Sequence, residues 1–155
     1  MKKFLLFLIF ISSFATAQMP NVSSVWMNNS QPYLGTISAD KVPIKVKIIS
    51  SDQDRKNDQE YFLSGFSVVE NTNNKFEGKL KITKYKAGKK RSVVFGEYEL
   101  DEENIGNHSG VFKGKFIYTF IWNKKTQKID QQFIEFIGNW QSYDGKLTYP
   151  AKWKN

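Results

Sequence analysis

Alternate residues of the stretch FKGKFIYTFIW are Phe112, Gly114, Phe116, Tyr118, Phe120 and Trp122, so an extended backbone gathers its aromatic side chains on one face. Such a face can bind an apolar or amphipathic small molecule, the rings supplying area and Tyr or Trp a polar tip. Tyr98 and Trp140 lie in neighbouring runs of the same character and are expected to adjoin it. A second constellation is cationic. Lys84, Lys86, Lys89, Lys90 and Arg91 follow Lys79 and Lys81 in a stretch with no acidic residue, a pattern that suits an anionic partner such as an envelope component. Lys113 and Lys115 take the parity opposite the aromatic stripe and are expected to extend that positive surface. Nucleic-acid-binding sheets interleave exposed aromatics with lysines for base stacking. Here the two residue types occupy opposite faces, which argues against a nucleic-acid platform.

Other reactive residue types are sparse. His108 is the single histidine, whereas a metal site needs several convergent ligands and a nucleophilic triad needs an oriented partner. Asp52, Asp54 and Asp58 are spaced faintly like a calcium loop, but Lys56, Asn57 and Leu63 stand where ligands or a glycine are required. Asp101, Glu102 and Glu103 are adjacent acids, read here as solvent-facing loop residues. There is no cysteine, so thiolate metal sites and cysteine nucleophiles are excluded. The expectation is a non-catalytic protein with no cofactor and no metal.

Residues 1–17 read as a secretory signal peptide: Lys2 and Lys3, a short apolar run from Phe4 to Ile11, and the small-residue site Ala15-Thr16-Ala17. Export to the periplasm or the exterior is expected. No cysteine near Ala17 is present to carry a lipid, and no second apolar run suggests a transmembrane anchor. The formal net charge of +8 fits either a soluble basic surface or contact with anionic material. The sequence does not specify an oligomeric state.

What must position these residues is a set of strands. Ile44, Val46 and Ile48 alternate with lysines, as do Phe76, Gly78, Leu80 and Ile82, and the same period continues through Val94–Leu100 and Leu147–Trp153. Turn-forming clusters separate the runs, and such short connections imply antiparallel hairpins. About eight strands are predicted, near 33–39, 42–50, 60–70, 75–86, 91–101, 110–122, 128–140 and 146–153. The domain plan is a signal peptide (1–17), an N-terminal extension (18–32) and one β-barrel domain (33–155). A repeat of apolar-x-Gly-x-apolar recurs at Gly35, Gly78, Gly96, Gly114 and Gly138. Glycine inside strand after strand predicts deliberate curvature, with large residues covering the gaps. The predicted class is all-β, an antiparallel up-and-down meander closing into a small barrel. Ile117 and Ile121, apolar on the other parity, point to an outer apolar patch, a dimer contact or a covering N-terminal segment, for which Val25-Trp26-Met27 is the candidate.

With this repeat and Gly138-Asn139-Trp140 in view, the chain resembles the calycin-like, lipocalin-like β-barrels, particularly small exported bacterial ones. The resemblance implies a barrel interior that takes a small apolar ligand, and carries over no site residue. The leading functional expectation is therefore interior binding of a hydrophobic or amphipathic ligand by Tyr98, Phe112, Phe116, Tyr118, Phe120, Trp122 and Trp140. The alternative is an envelope interaction module or inhibitor that uses the basic hairpin against an anionic partner.

Overall fold

A computed structural model describes residues 19–155, and the segment read as a signal peptide lies outside the described residues. The period-two runs become eight strands: β1 (Tyr33–Ile37), β2 (Val42–Gln53), β3 (Glu60–Val69), β4 (Thr72–Lys86), β5 (Ser92–Glu102), β6 (Gly110–Asn123), β7 (Lys128–Ser142) and β8 (Thr148–Lys154). Each pairs antiparallel with the next, and β1 also pairs with β8, where Gly35 faces Trp153. The result is one closed up-and-down barrel. Closure leaves no unpaired strand edge.

Alternation decides which side of each strand faces inward. Ile44, Val46 and Ile48 of β2, Leu80 and Ile82 of β4, and Ile134 and Phe136 of β7 are buried, while Lys45 and Lys79 are exposed. Each fully buried Leu, Ile or Phe contributes about 1.5–3 kcal/mol, so this set can hold a cysteine-free domain together. The glycines admit backbones at very close range. Gly114 and Gly138 face each other across β6–β7, and a Cβ on either would collide with the opposite strand's backbone. Gly96 lies beneath the ring of Phe116, its partner across β5–β6, and Gly65 beneath Phe76, its partner across β3–β4. The covering ring thus comes from the adjacent strand rather than from the glycine's own strand, because directly opposed residues share a face.

Register shifts re-aim two segments. An extra residue in β2 thrusts Ile49 outward between Ile48 and Ser50. In β4 a shift between Ile82 and Lys84 leaves Lys84 opposite Phe95 and Lys86 opposite Val93, on the outer face. Such bulges add local twist and redirect side chains.

The N-terminal extension does not lie over an outer patch as expected. Its short helix α1 (Ser23–Trp26) inserts Trp26, with no exposed surface, into the mouth of the barrel. Trp26 meets Tyr61, Phe116 and Tyr118 edge-on, with ring centroids 5.2–5.8 Å apart. Asn28, Asn29 and Ser30 then take left-handed φ of 47, 51 and 63° and turn the chain into β1, a conformation that asparagine tolerates better than most residues. Hydrogen bonds to the β2–β3 strands and their loop latch the plug. Asp58 accepts the Met19 N–H at 2.5 Å, Gln53 Nε2 donates to the Met19 carbonyl at 3.3 Å, and Tyr61 Oη accepts the Val22 N–H at 3.3 Å. The aspartate run examined as a calcium loop therefore supplies an anchor for the plug. Among the described residues no cluster of His, Asp and Glu is arranged to hold a metal ion.

Candidate functional site

The aromatic stripe of β6 reaches the interior, where its rings pack against one another and against Trp26. Phe112, Phe116 and Tyr118 are buried, as are Tyr98 and Trp140. Phe136 and Trp153 stack at 5.6 Å, and Tyr98 meets both edge-on at 5.3 and 5.4 Å. Rings at these separations are in contact, the offset and edge-to-face geometry that aromatic cores favour. Burial pushes the phenols of Tyr33 and Tyr98 well up and that of Tyr118 up to about 12. Two members of the stripe lie elsewhere. Phe120 is half-buried at the rim, stacked on Tyr118 at 5.1 Å, and Trp122 is 46% exposed because β6 runs on past the barrel mouth. Trp140 is at the other end of the barrel, stacked on Tyr149. The place beside Phe116 and Tyr118 belongs to Trp26 instead.

That far end holds a residue the sequence reading misplaced. Glu102 is 4% exposed and points inward, where its carboxylate accepts hydrogen bonds from Ser67 Oγ (2.5 Å), Trp140 Nε1 (2.9 Å) and the Gly110 N–H (3.1 Å). Tyr143 Oη donates to the Glu102 carbonyl. A buried carboxylate ringed by donors draws together β3, β5, β6 and β7 and closes this end of the barrel. It fastens the strands together, and Glu102 also lines the trough on the outer side of β2–β5. The alternation Val94, Gly96, Tyr98, Leu100 contains the signal that places Glu102 inside, because its next member is residue 102.

The plugged end carries the basic hairpin. Lys84, Lys86, Lys89, Lys90 and Arg91 are all exposed, and none takes part in an ion pair among the described residues. Lys86 Nζ lies over the Phe95 ring at 5.4 Å. Two neighbouring cations are already neutralised, Lys81 by Glu60 at 3.1 Å and Lys113 by Glu99 at 2.6 Å, so Lys113 does not extend the free positive surface. Beside the hairpin, a cavity of about 240 Å³ is lined by Arg91, Thr119, Phe120, Ile121, Gln131, Gln132 and Phe133. Tyr118 Oη donates to Gln132 Oε1 at its edge, 3.2 Å away. The structure thus brings Arg91 and Phe120, assigned to different surfaces from sequence, to one cavity. A larger open trough lies on the outer face of β2–β5. Both lie outside the barrel's aromatic core.

The fold and this surface define a class: a closed eight-stranded antiparallel barrel with an aromatic core, plugged at one end beneath a cationic rim. No protein-family model, curated protein or solved structure matches the chain.

Proposed function

We propose that the chain is an exported, non-catalytic interaction module that engages an anionic envelope partner through the basic rim. The observation that carries this reading is the β4–β5 hairpin itself: five exposed cations with no ion-pair partner among the described residues, projecting beyond the barrel mouth. The adjoining cavity adds the Arg91 guanidinium and the amides of Gln131 and Gln132, donors suited to an anionic or polyhydroxylated group, above a Phe120 wall. The closed up-and-down order supports placing the barrel beside the calycin-like architectures. Replacing Lys84, Lys86, Lys89 and Lys90 by glutamate is expected to abolish capture of the partner from a host envelope extract. Wild-type capture should weaken as salt screens the exposed charges. Capture that survives the charge reversal overturns the reading.

A second reading keeps the interior as the site of a small amphipathic ligand. It is favoured by Tyr98 Oη, Trp153 Nε1 and Trp26 Nε1, which are buried without a hydrogen-bond partner. Buried polar atoms of this kind normally have one. Entry would require the Trp26 plug to withdraw.

A further inference from the structure

The open trough on the outer face of β2–β5 has a volume of about 1550 Å³. That exceeds the roughly 300–1,000 Å³ of a small-molecule pocket and suits a polypeptide segment. Its apolar floor is made by Ile49 at the β2 bulge, Phe62, Phe66 and Ile105, of which Ile49, Phe62 and Ile105 are 59, 44 and 67% exposed. Glu77 stands directly opposite Asp101 across β4–β5, and Glu103 lines the same trough. Like charges directly opposed weaken a sheet pair. Neither Glu77 nor Asp101 has an ion-pair partner among the described residues. Lys75 and Lys79 also line the trough, but Lys79 Nζ lies over the Phe62 ring at 5.1 Å, and Glu99 is held by Lys113. An apolar floor beside unneutralised acids calls for a cationic segment that carries an aromatic ring.

Such a segment exists on this chain. The hairpin tip presents Lys84, Lys86, Lys90 and Arg91 together with Tyr85, whose ring is 55% exposed. It cannot enter its own trough, because trough and tip lie on the same strands and Glu77 to Lys86 spans roughly 30 Å of extended chain. We propose that the trough receives the β4–β5 hairpin of a second copy, its tip cations facing Glu77, Asp101 and Glu103. The inference rests on the hairpin being the anion-seeking arm, and names a second copy as its partner. Since the barrel offers no strand edge, the contact is made by side chains. A tip-into-side contact is heterologous, so copies add head to tail instead of closing a two-fold dimer.

Sedimentation velocity on the mature chain tests this. The wild type is expected to associate with rising concentration and to dissociate with added salt. A hairpin variant (Lys84→Gln, Lys86→Gln, Lys90→Gln) and a trough variant (Glu77→Lys, Glu103→Lys) should each associate roughly tenfold or more weakly alone. Mixed, they retain one intact tip and one intact trough, so they should form pairs that do not extend, which also shows that both variants are folded. A wild type that stays monomeric at every concentration, or a trough variant that associates like the wild type, overturns the inference. The trough variant keeps its hairpin. A monomeric wild type that still captures an envelope component would reject self-docking and leave the proposed function standing. Salt-sensitive association without such capture would do the reverse.

Discussion

Glu102 shows how one position on a strand can change a residue's role. Its neighbours Asp101 and Glu103 are exposed, while Glu102 is enclosed by Ser67, Gly110 and Trp140. Truncation leaves those donors buried and unpaired, so Glu102→Ala is expected to cost about 3 kcal/mol, read as a lower denaturation midpoint in urea. Asp101→Ala removes a charge that faces Glu77, and burial together with the Glu99 charge, opposed by Lys113, already raises its carboxyl above the ordinary value. It should change stability by no more than about 0.5 kcal/mol. Equal losses at the two positions would contradict the inward placement of Glu102. Reading three consecutive acids as a solvated loop hid this, although the alternation running through Tyr98 and Leu100 already pointed residue 102 inward.

At the scale of elements, the eight strands were legible because each has one wet and one dry face, and period two records that directly. The sequence-based boundaries fall within a few residues of the observed strands. Glycine placement also conveyed the curvature of the sheet. What could not be read was where each strand lies along the barrel axis. Trp122 shares the parity of Phe116 but extends past the rim, and Trp140 belongs to the opposite end. The plug was equally hidden, since a four-residue helix bearing one tryptophan has no periodicity to announce it. Removing that ring tests its role. Trp26→Ala is expected to cost about 3–5 kcal/mol by chemical denaturation, the range for deleting a buried large aromatic. A loss below 1 kcal/mol would mean that Trp26 does not fill the barrel mouth. The hairpin's lysines, by contrast, were visible from sequence as a run without acids, and the β4 bulge explains how Lys84 and Lys86 come to face outward.

For the whole molecule, the pattern is an aromatic interior inside a charged shell. Its tyrosines make this measurable. Burial raises the Tyr33, Tyr98 and Tyr118 phenols, the last to about 12, so their neutral forms are favoured in the fold. That contribution is fully present below the ordinary tyrosine value of about 10 and is lost as pH rises through the folded values near and above 12. Alkaline unfolding followed by tyrosinate absorbance should therefore show a late, cooperative step coincident with loss of tertiary structure. A barrel open to solvent would instead release all its tyrosines gradually near pH 10. The proposal that this barrel works from its outer surface is tested by native mass spectrometry of protein purified from its own host. The chain is expected to carry no small molecule inside it. A stoichiometric apolar ligand that survives desalting and is lost when Trp122 and Phe120 are left intact but Tyr98 or Phe116 is replaced would contradict it.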